Sequence, residues 1–137
     1  MLAILKAPKF YFYDTGQVLG DNGAKLENLI ACALLKEIHY LADCYGIELD
    51  LCYIRTKDGR EIDFLITRHG TPLCMIEAKW ADSRPSDNFR ALEGFFPGIK
   101  KIQLVKELDR EKTYPNGLEI RSAQNWLATF SWAEEMG

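Results

Sequence analysis

R-E-I-D-F-L-I-T-R-H-G-T-P-L-C-M-I-E-A-K-W, running from Arg60 to Trp80, is the stretch on which the reading of this chain turns. Two apolar runs flank a short turn at His69-Gly70-Thr71. Ile62, Phe64, Leu65 and Ile66 form the first; Leu73, Cys74, Met75 and Ile76 form the second. Strand formers on both sides of a glycine-containing gap predict a β-hairpin. Asp63, Glu77 and Lys79 interrupt these runs with charge. Glu77 and Lys79 are two apart, so they leave the same face of their strand.

Register decides whether Asp63 joins them. If the turn is the three residues His69-Gly70-Thr71, Arg68 faces Pro72 and Asp63 falls opposite Glu77. Opposed residues share a face with Cβ atoms about 5 Å apart, and two carboxylates at that distance repel. A divalent cation between them removes the difficulty. Magnesium takes oxygen ligands and is often held by one or two carboxylates with water and phosphate. A lysine beside it can hold or polarise a water or stabilise phosphate charge. A slip of one residue would send the two acids to opposite faces.

Asp63 followed by Glu77-Ala78-Lys79 across a hairpin resembles the motif of the PD-(D/E)XK nucleases, the restriction-endonuclease-like superfamily. The proline that often precedes the first acid is replaced by Ile62. Alone, this motif also fits solvated charges on an edge strand.

Composition sets the frame. The 137 residues suffice for one domain with a real core, expected to span 1–137, with residues 1–8 as a peripheral extension. No run approaches the roughly 20 apolar residues that span a bilayer, and the N-terminus lacks the charged start of a signal peptide, so a cytoplasmic location without membrane contact is expected. Cys32, Cys44, Cys52 and Cys74 have no zinc spacing and read as reduced, mostly buried small residues. A net charge of −3 argues against a strong non-specific nucleic-acid binder, so DNA binding is an expectation from the motif rather than from charge.

Along the chain, Lys9–Asp14 reads as an aromatic strand and 20–23 as a loop. A helix is expected from Ala24 to about Tyr45. Lys25, Asn28, Cys32, Lys36, His39 and Asp43 form its polar stripe, with leucines and isoleucines elsewhere. Glu27 lies off that stripe. It reads either as a first-turn acid favoured by the helix dipole or as a third acid of the hairpin site. His39 and His69 read as surface residues. Leu49–Arg55 is a strand, and a two-residue Asp58-Gly59 turn after it would set Ile54 opposite Asp63. Arg55, Lys57 and Arg60 can touch a phosphate backbone or form a solvated hairpin tip. Ser86 can cap a helix reaching about Phe95, from which Asn88 and Arg90 can face the site. Ile99–Lys106 is a strand expected to run parallel to the Glu77 strand through a crossover. A polar loop at 109–117, a short strand from Leu118 and a helix from Ala123 to Ala133 complete the chain.

Helix, three-strand meander, helix and strand give an α/β fold with an αβββαβ core and a central mixed sheet flanked by helices. That is the restriction-endonuclease-like order. The match narrows further. K-F-Y-F-Y-D-T-G, G-A-K-L-E-N-L-I-A, R-T-K-D-G-R-E-I-D-F and I-E-A-K-W, in this order, resemble the C-terminal domain of unknown function found behind AAA-type ATPase modules in bacterial and archaeal proteins. The ATPase module is missing, so the chain is an excised domain or a short free-standing relative. The resemblance implies Glu27, Asp63, Glu77 and Lys79 as catalytic positions, the three acids as ligands of Mg²⁺ (with Mn²⁺ as a substitute), and DNA as substrate. Lys57, Arg60, Asn88 and Arg90 are the candidate nucleic-acid contacts. An ATPase partner or a second copy of the chain is the further partner to expect. Two readings stand: a metal-dependent nuclease hydrolysing DNA phosphodiester bonds, and a non-catalytic module of the same fold that binds DNA or a partner protein.

Overall fold

The computed structural model describes residues 2–6 and 22–130. The Lys9–Asp14 strand reading and the segment after Phe130 lie outside them. Described in chain order are β1 (Leu2–Lys6), α1 (Asn22–Tyr45), β2 (Asp50–Thr56), β3 (Glu61–Arg68) and β4 (Thr71–Lys79). Then follow α2 (Asp87–Glu93), β5 (Lys100–Val105), β6 (Lys112–Thr113), β7 (Leu118–Ser122) and α3 (Ala123–Thr129). From α1 to β5 the order is αβββαβ, and the fold is α/β. One sheet runs β1-β2-β3-β4-β5-β7-β6. It is mixed: β1 to β4 pair antiparallel, while β5 is parallel to both β4 and β7. The parallel β4–β5 pair bears out the crossover reading, since parallel neighbours need a connection long enough to hold a helix.

The sheet is buried on both faces, which is why its central strands read as nearly unbroken apolar runs. On one face α1 and α3 pack Leu26, Ile30, Leu34, Leu41 and Trp126 against Phe64, Ile66, Ile76 and Leu104. On the other, Phe89 and Leu92 of α2 pack with Ile62, Leu65, Met75 and Val105. Successive residues on β4 alternate between these cores as a pleated strand requires: Cys74 and Ile76 one way, Met75 the other.

Several expectations are corrected. Residues 2–6 are strand β1, paired with β2 from Leu2↔Thr56 to Lys6↔Cys52, rather than a peripheral extension. Asn22 and Gly23 belong to α1 rather than to a loop. Asn28, placed on the polar stripe, is buried, and Leu29, placed on the apolar side, is exposed. Cys52 and Cys74 are buried, but Cys44 is exposed. Lys112–Thr113, read as loop, forms β6 on the β7 edge. Among the described residues no helix is long and apolar enough to cross a membrane.

Both hairpins differ from the expected counts by one residue, in opposite directions. The β2–β3 turn holds three residues, not two: the Thr56 N–H donates to the Arg60 carbonyl, and Gly59 takes the left-handed φ of 87°. Ile54 therefore faces Ile62 rather than Asp63. A bulge then sets Asp63 and Phe64 together against Tyr53, and from Cys52↔Leu65 onward the register is restored. The β3–β4 turn holds two residues, not three. His69 and Gly70 both have positive φ, 49° and 79°, as a type I′ turn demands. Arg68 faces Thr71, and Leu73 is the extra residue of a bulge between Thr67↔Pro72 and Ile66↔Cys74. Beyond that bulge the register runs, as the three-residue count expected, to Phe64↔Ile76, where the ladder ends.

Candidate active site

The site lies where β3 and β4 part. Their backbone pairing ends at Phe64↔Ile76. One step further, the Ala78 N–H donates to Asp63 Oδ2 at 2.9 Å. The Asp63 carboxylate thus ties the two strands together just past the end of their ladder. Bulges bend a strand and re-aim side chains, and Asp63 sits on one. Burial raises the Asp63 carboxyl to a pKa of about 7; the Ala78 N–H pulls it down, Glu27 and Glu77 push it up, and Lys79 pulls it down.

Glu77 is only 3% exposed, although it is charged. Its Oε1 accepts a hydrogen bond from Asn88 Nδ2 at 2.9 Å. Its Oε2 is buried with no hydrogen-bond partner among the described residues. Buried polar atoms are almost always paired, and an orphaned carboxylate oxygen needs a reason. Lys79, two residues on, lines an open, mostly polar cleft of about 470 Å³ together with Arg60, Asp82, Arg84, Ser86 and Asn88.

Glu27 is half-buried on α1, and burial, followed by the charge of Glu61, raises its carboxyl. The helix starts at Asn22 and its first turn carries no acid. The dipole effect fades beyond the first turn, so that explanation for Glu27 is dropped. Glu27 stands in electrostatic reach of Asp63. Among the described residues, however, no three His, Cys, Asp or Glu side chains close into a group able to hold a metal ion. Glu27 and Glu77 both stand within electrostatic reach of Asp63, and Glu27 has the larger effect on it.

The Asp63–Glu77 pair nevertheless suits a hard divalent cation. Magnesium commonly takes only one or two carboxylates and fills its remaining positions with water and phosphate oxygens.

The candidate nucleic-acid contacts separate. Arg60 lines the cleft, whereas Arg90 is exposed and is not among its lining residues. Lys57 is exposed at the β2–β3 turn, and Arg55 is held by Glu61 at 2.8 Å. Asn88 lines the cleft but spends its amide on Glu77, so its first role is to orient that acid. Replacing Asn88 by Ala should leave both Glu77 oxygens unpartnered. The expected cost to the metal-free protein is about 1–3 kcal/mol, recovered in part with saturating Mn²⁺. Urea denaturation with and without Mn²⁺ measures both; equal stability of variant and wild type in EDTA would refute it.

Gln103 escaped the sequence reading. It pairs in register with Glu77 across the parallel β4–β5 ladder, so the two share a face, and it is fully buried. The signal was present: a lone amide amid Ile102, Leu104 and Val105. Its partners, in the loop after β4, were not legible.

A family model described as a domain of unknown function (DUF4143) matches residues 22–124. No curated protein and no solved structure matches the chain.

Proposed function

The chain belongs to the DUF4143 family, and on that premise we propose that it is a metal-dependent nuclease of the PD-(D/E)XK type, hydrolysing DNA phosphodiester bonds. The observation that carries the reading is the buried, unpartnered Oε2 of Glu77 beside Asp63, on the face that Lys79 shares. A bound Mg²⁺ or Mn²⁺ would supply Lewis acidity and lower the pKa of a water. Asp63 and Glu77 would hold the cation, and Glu27 adds its negative potential at Asp63. Asn88 orients Glu77. Lys79 donates hydrogen bonds to the attacking water or to the phosphate, since an ammonium has donors and no acceptor. Arg60 meets the phosphate backbone at the cleft.

A non-catalytic module that keeps the fold and binds DNA or a partner protein, an ATPase or a second copy of the chain, is the second reading. The lack of a three-acid group among the described residues favours it. The two separate in a cleavage assay on linear, circular and single-stranded DNA with Mg²⁺ or Mn²⁺. Cleavage that EDTA abolishes supports the nuclease. Binding of DNA without cleavage of any form, at any concentration of either ion, rejects it.

A further inference from the structure

Gln103 bonds to three residues of one loop. Its Nε2 donates to the Asp82 carbonyl at 3.2 Å and to the Arg84 carbonyl at 2.8 Å. Its Oε1 accepts the Ser86 N–H at 2.9 Å. A buried amide is costly unless it is paired, and here each bond is made to backbone of the segment that follows β4. The segment has little else to fix it: residues 81–85 are all exposed, and its other bonds run from Arg84 to Asp82.

The latch reaches the site by two routes. Ser86 caps α2 by accepting the Asn88 N–H, and Asn88 in turn holds Glu77. Arg84, whose guanidinium leans on Asp82 at 3.2 Å, lines the cleft that also contains Arg60 and Lys79. Arg84 is exposed, and a phosphate entering the cleft would compete for its charge with Asp82 and Asp87, which line the cleft beside it.

We propose that the Asp82–Ser86 loop is the strand-binding wall of this site: Arg84 and Arg60 take the backbone phosphates next to the scissile one, and buried Gln103 is the positioning residue that holds the wall in place. The inference rests on the nuclease reading, because it needs a polyphosphate strand in the cleft. Arginine suits the task, since its planar fork matches phosphate oxygens and stays charged at every working pH.

The test uses a fluorescent single-stranded oligonucleotide titrated against the protein with Ca²⁺ in place of Mg²⁺, at several salt concentrations. Arg84→Ala and Arg60→Ala should each weaken binding about tenfold. Each should flatten the dependence of log K on log salt by about 0.7, the contribution of one phosphate contact on a single strand. Gln103→Met keeps the side-chain volume and loses the amide. It should weaken binding as much as Arg84→Ala does, add nothing in combination with it, and free the Ser86 amide to exchange with solvent. Arg84 is exposed, so its variant folds and carries the test even if Gln103→Met does not. Unchanged salt slopes in both arginine variants overturn the proposal. So does a folded Gln103→Met protein with a still-protected Ser86 amide. If the wild type binds no oligonucleotide at all, the nuclease reading itself fails; if it binds and these variants bind alike, only the wall and its latch fail.

Discussion

Lys79→Ala should bind Mn²⁺ about as tightly as the wild type and lose cleavage on the order of 10²–10⁴-fold, whereas Glu77→Ala should lose both. The two residues share a face of β4 but differ in what they can offer. Glu77 presents a buried oxygen with no donor, and its removal deletes a cation ligand. Lys79 presents donors only. Its charge does reach Asp63, whose carboxyl it holds down against burial. Without it Asp63 keeps its proton more readily, but the repulsion between the ammonium and an incoming cation also disappears. These effects oppose, so metal affinity should move little. In the reaction the balance differs, because an interaction made only in the transition state lowers kcat and kcat/KM together when removed. If Lys79 is merely a counter-charge on a binding surface, its loss leaves the acids less compensated and Mn²⁺ affinity rises with no cleavage to lose. Isothermal titration with Mn²⁺ on both variants, beside single-turnover cleavage, separates the cases. A Lys79→Ala protein that cuts at the wild-type rate would remove Lys79 from the mechanism.

The β3–β4 register from Ile66↔Cys74 to Phe64↔Ile76 was legible in the sequence although neither hairpin turn was counted correctly. Each count missed by one residue, and in each hairpin a bulge takes up the difference. The reason is physical. A one-residue slip in β3 would carry Phe64 and Ile66 off the core they share with α1, and Leu65 off the core it shares with α2. Burial of these side chains is worth roughly 1.5–3 kcal/mol each, far more than a turn residue can dictate. The apolar pattern therefore fixes the register and the turn accommodates. Turn geometry depends on φ values such as the 49° of His69, which a sequence suggests only when Gly or Asn occupies the position.

The site was legible where its residues are odd for their surroundings, and hidden where they are ordinary. Acids inside apolar runs announce Asp63 and Glu77. Glu27 stands out on an otherwise apolar helix face, but the spacing along a helix says nothing about its distance from a strand. The Asn88–Glu77 bond and the Gln103 latch join segments 11 to 21 residues apart through side-chain amides. Nothing local specifies such contacts; they exist because β4 and β5 are parallel neighbours, which puts Gln103 beside Glu77 and the loop after β4 within reach.

Asp63→Asn should leave the metal-free protein as stable as the wild type at pH 4 and more stable by up to about 4 kcal/mol at pH 8. Asparagine keeps an oxygen for the Ala78 N–H, so the substitution removes the charge and little else. The sign follows from where the proton binds. The folded protein holds the Asp63 proton up to a pKa of about 7, against 3.8 for the unfolded chain. Below pH 3.8 both states are protonated and the group contributes nothing. Between 3.8 and 7 the folded state binds more protons, so this residue makes stability fall as pH rises. Above 7 the full cost of a buried carboxylate remains. The difference between variant and wild type cancels every titration that does not feel Asp63, leaving its own and that of the charges coupled to it. A divalent cation reverses the order, because it replaces the proton: saturating Mn²⁺ at a hundred times Kd stabilises the wild type by about 2.7 kcal/mol, and Asp63→Asn should forfeit most of that. Mn²⁺ affinity of the wild type should rise as pH passes through 7, since the ligand must lose its proton before it can bind. Denaturant titrations from pH 4 to 8, in EDTA and in Mn²⁺, give the four curves needed. A stability difference that stays flat with pH would mean that Asp63 is ionised throughout, and that the crowding of acids at this strand end is relieved by something other than a cation.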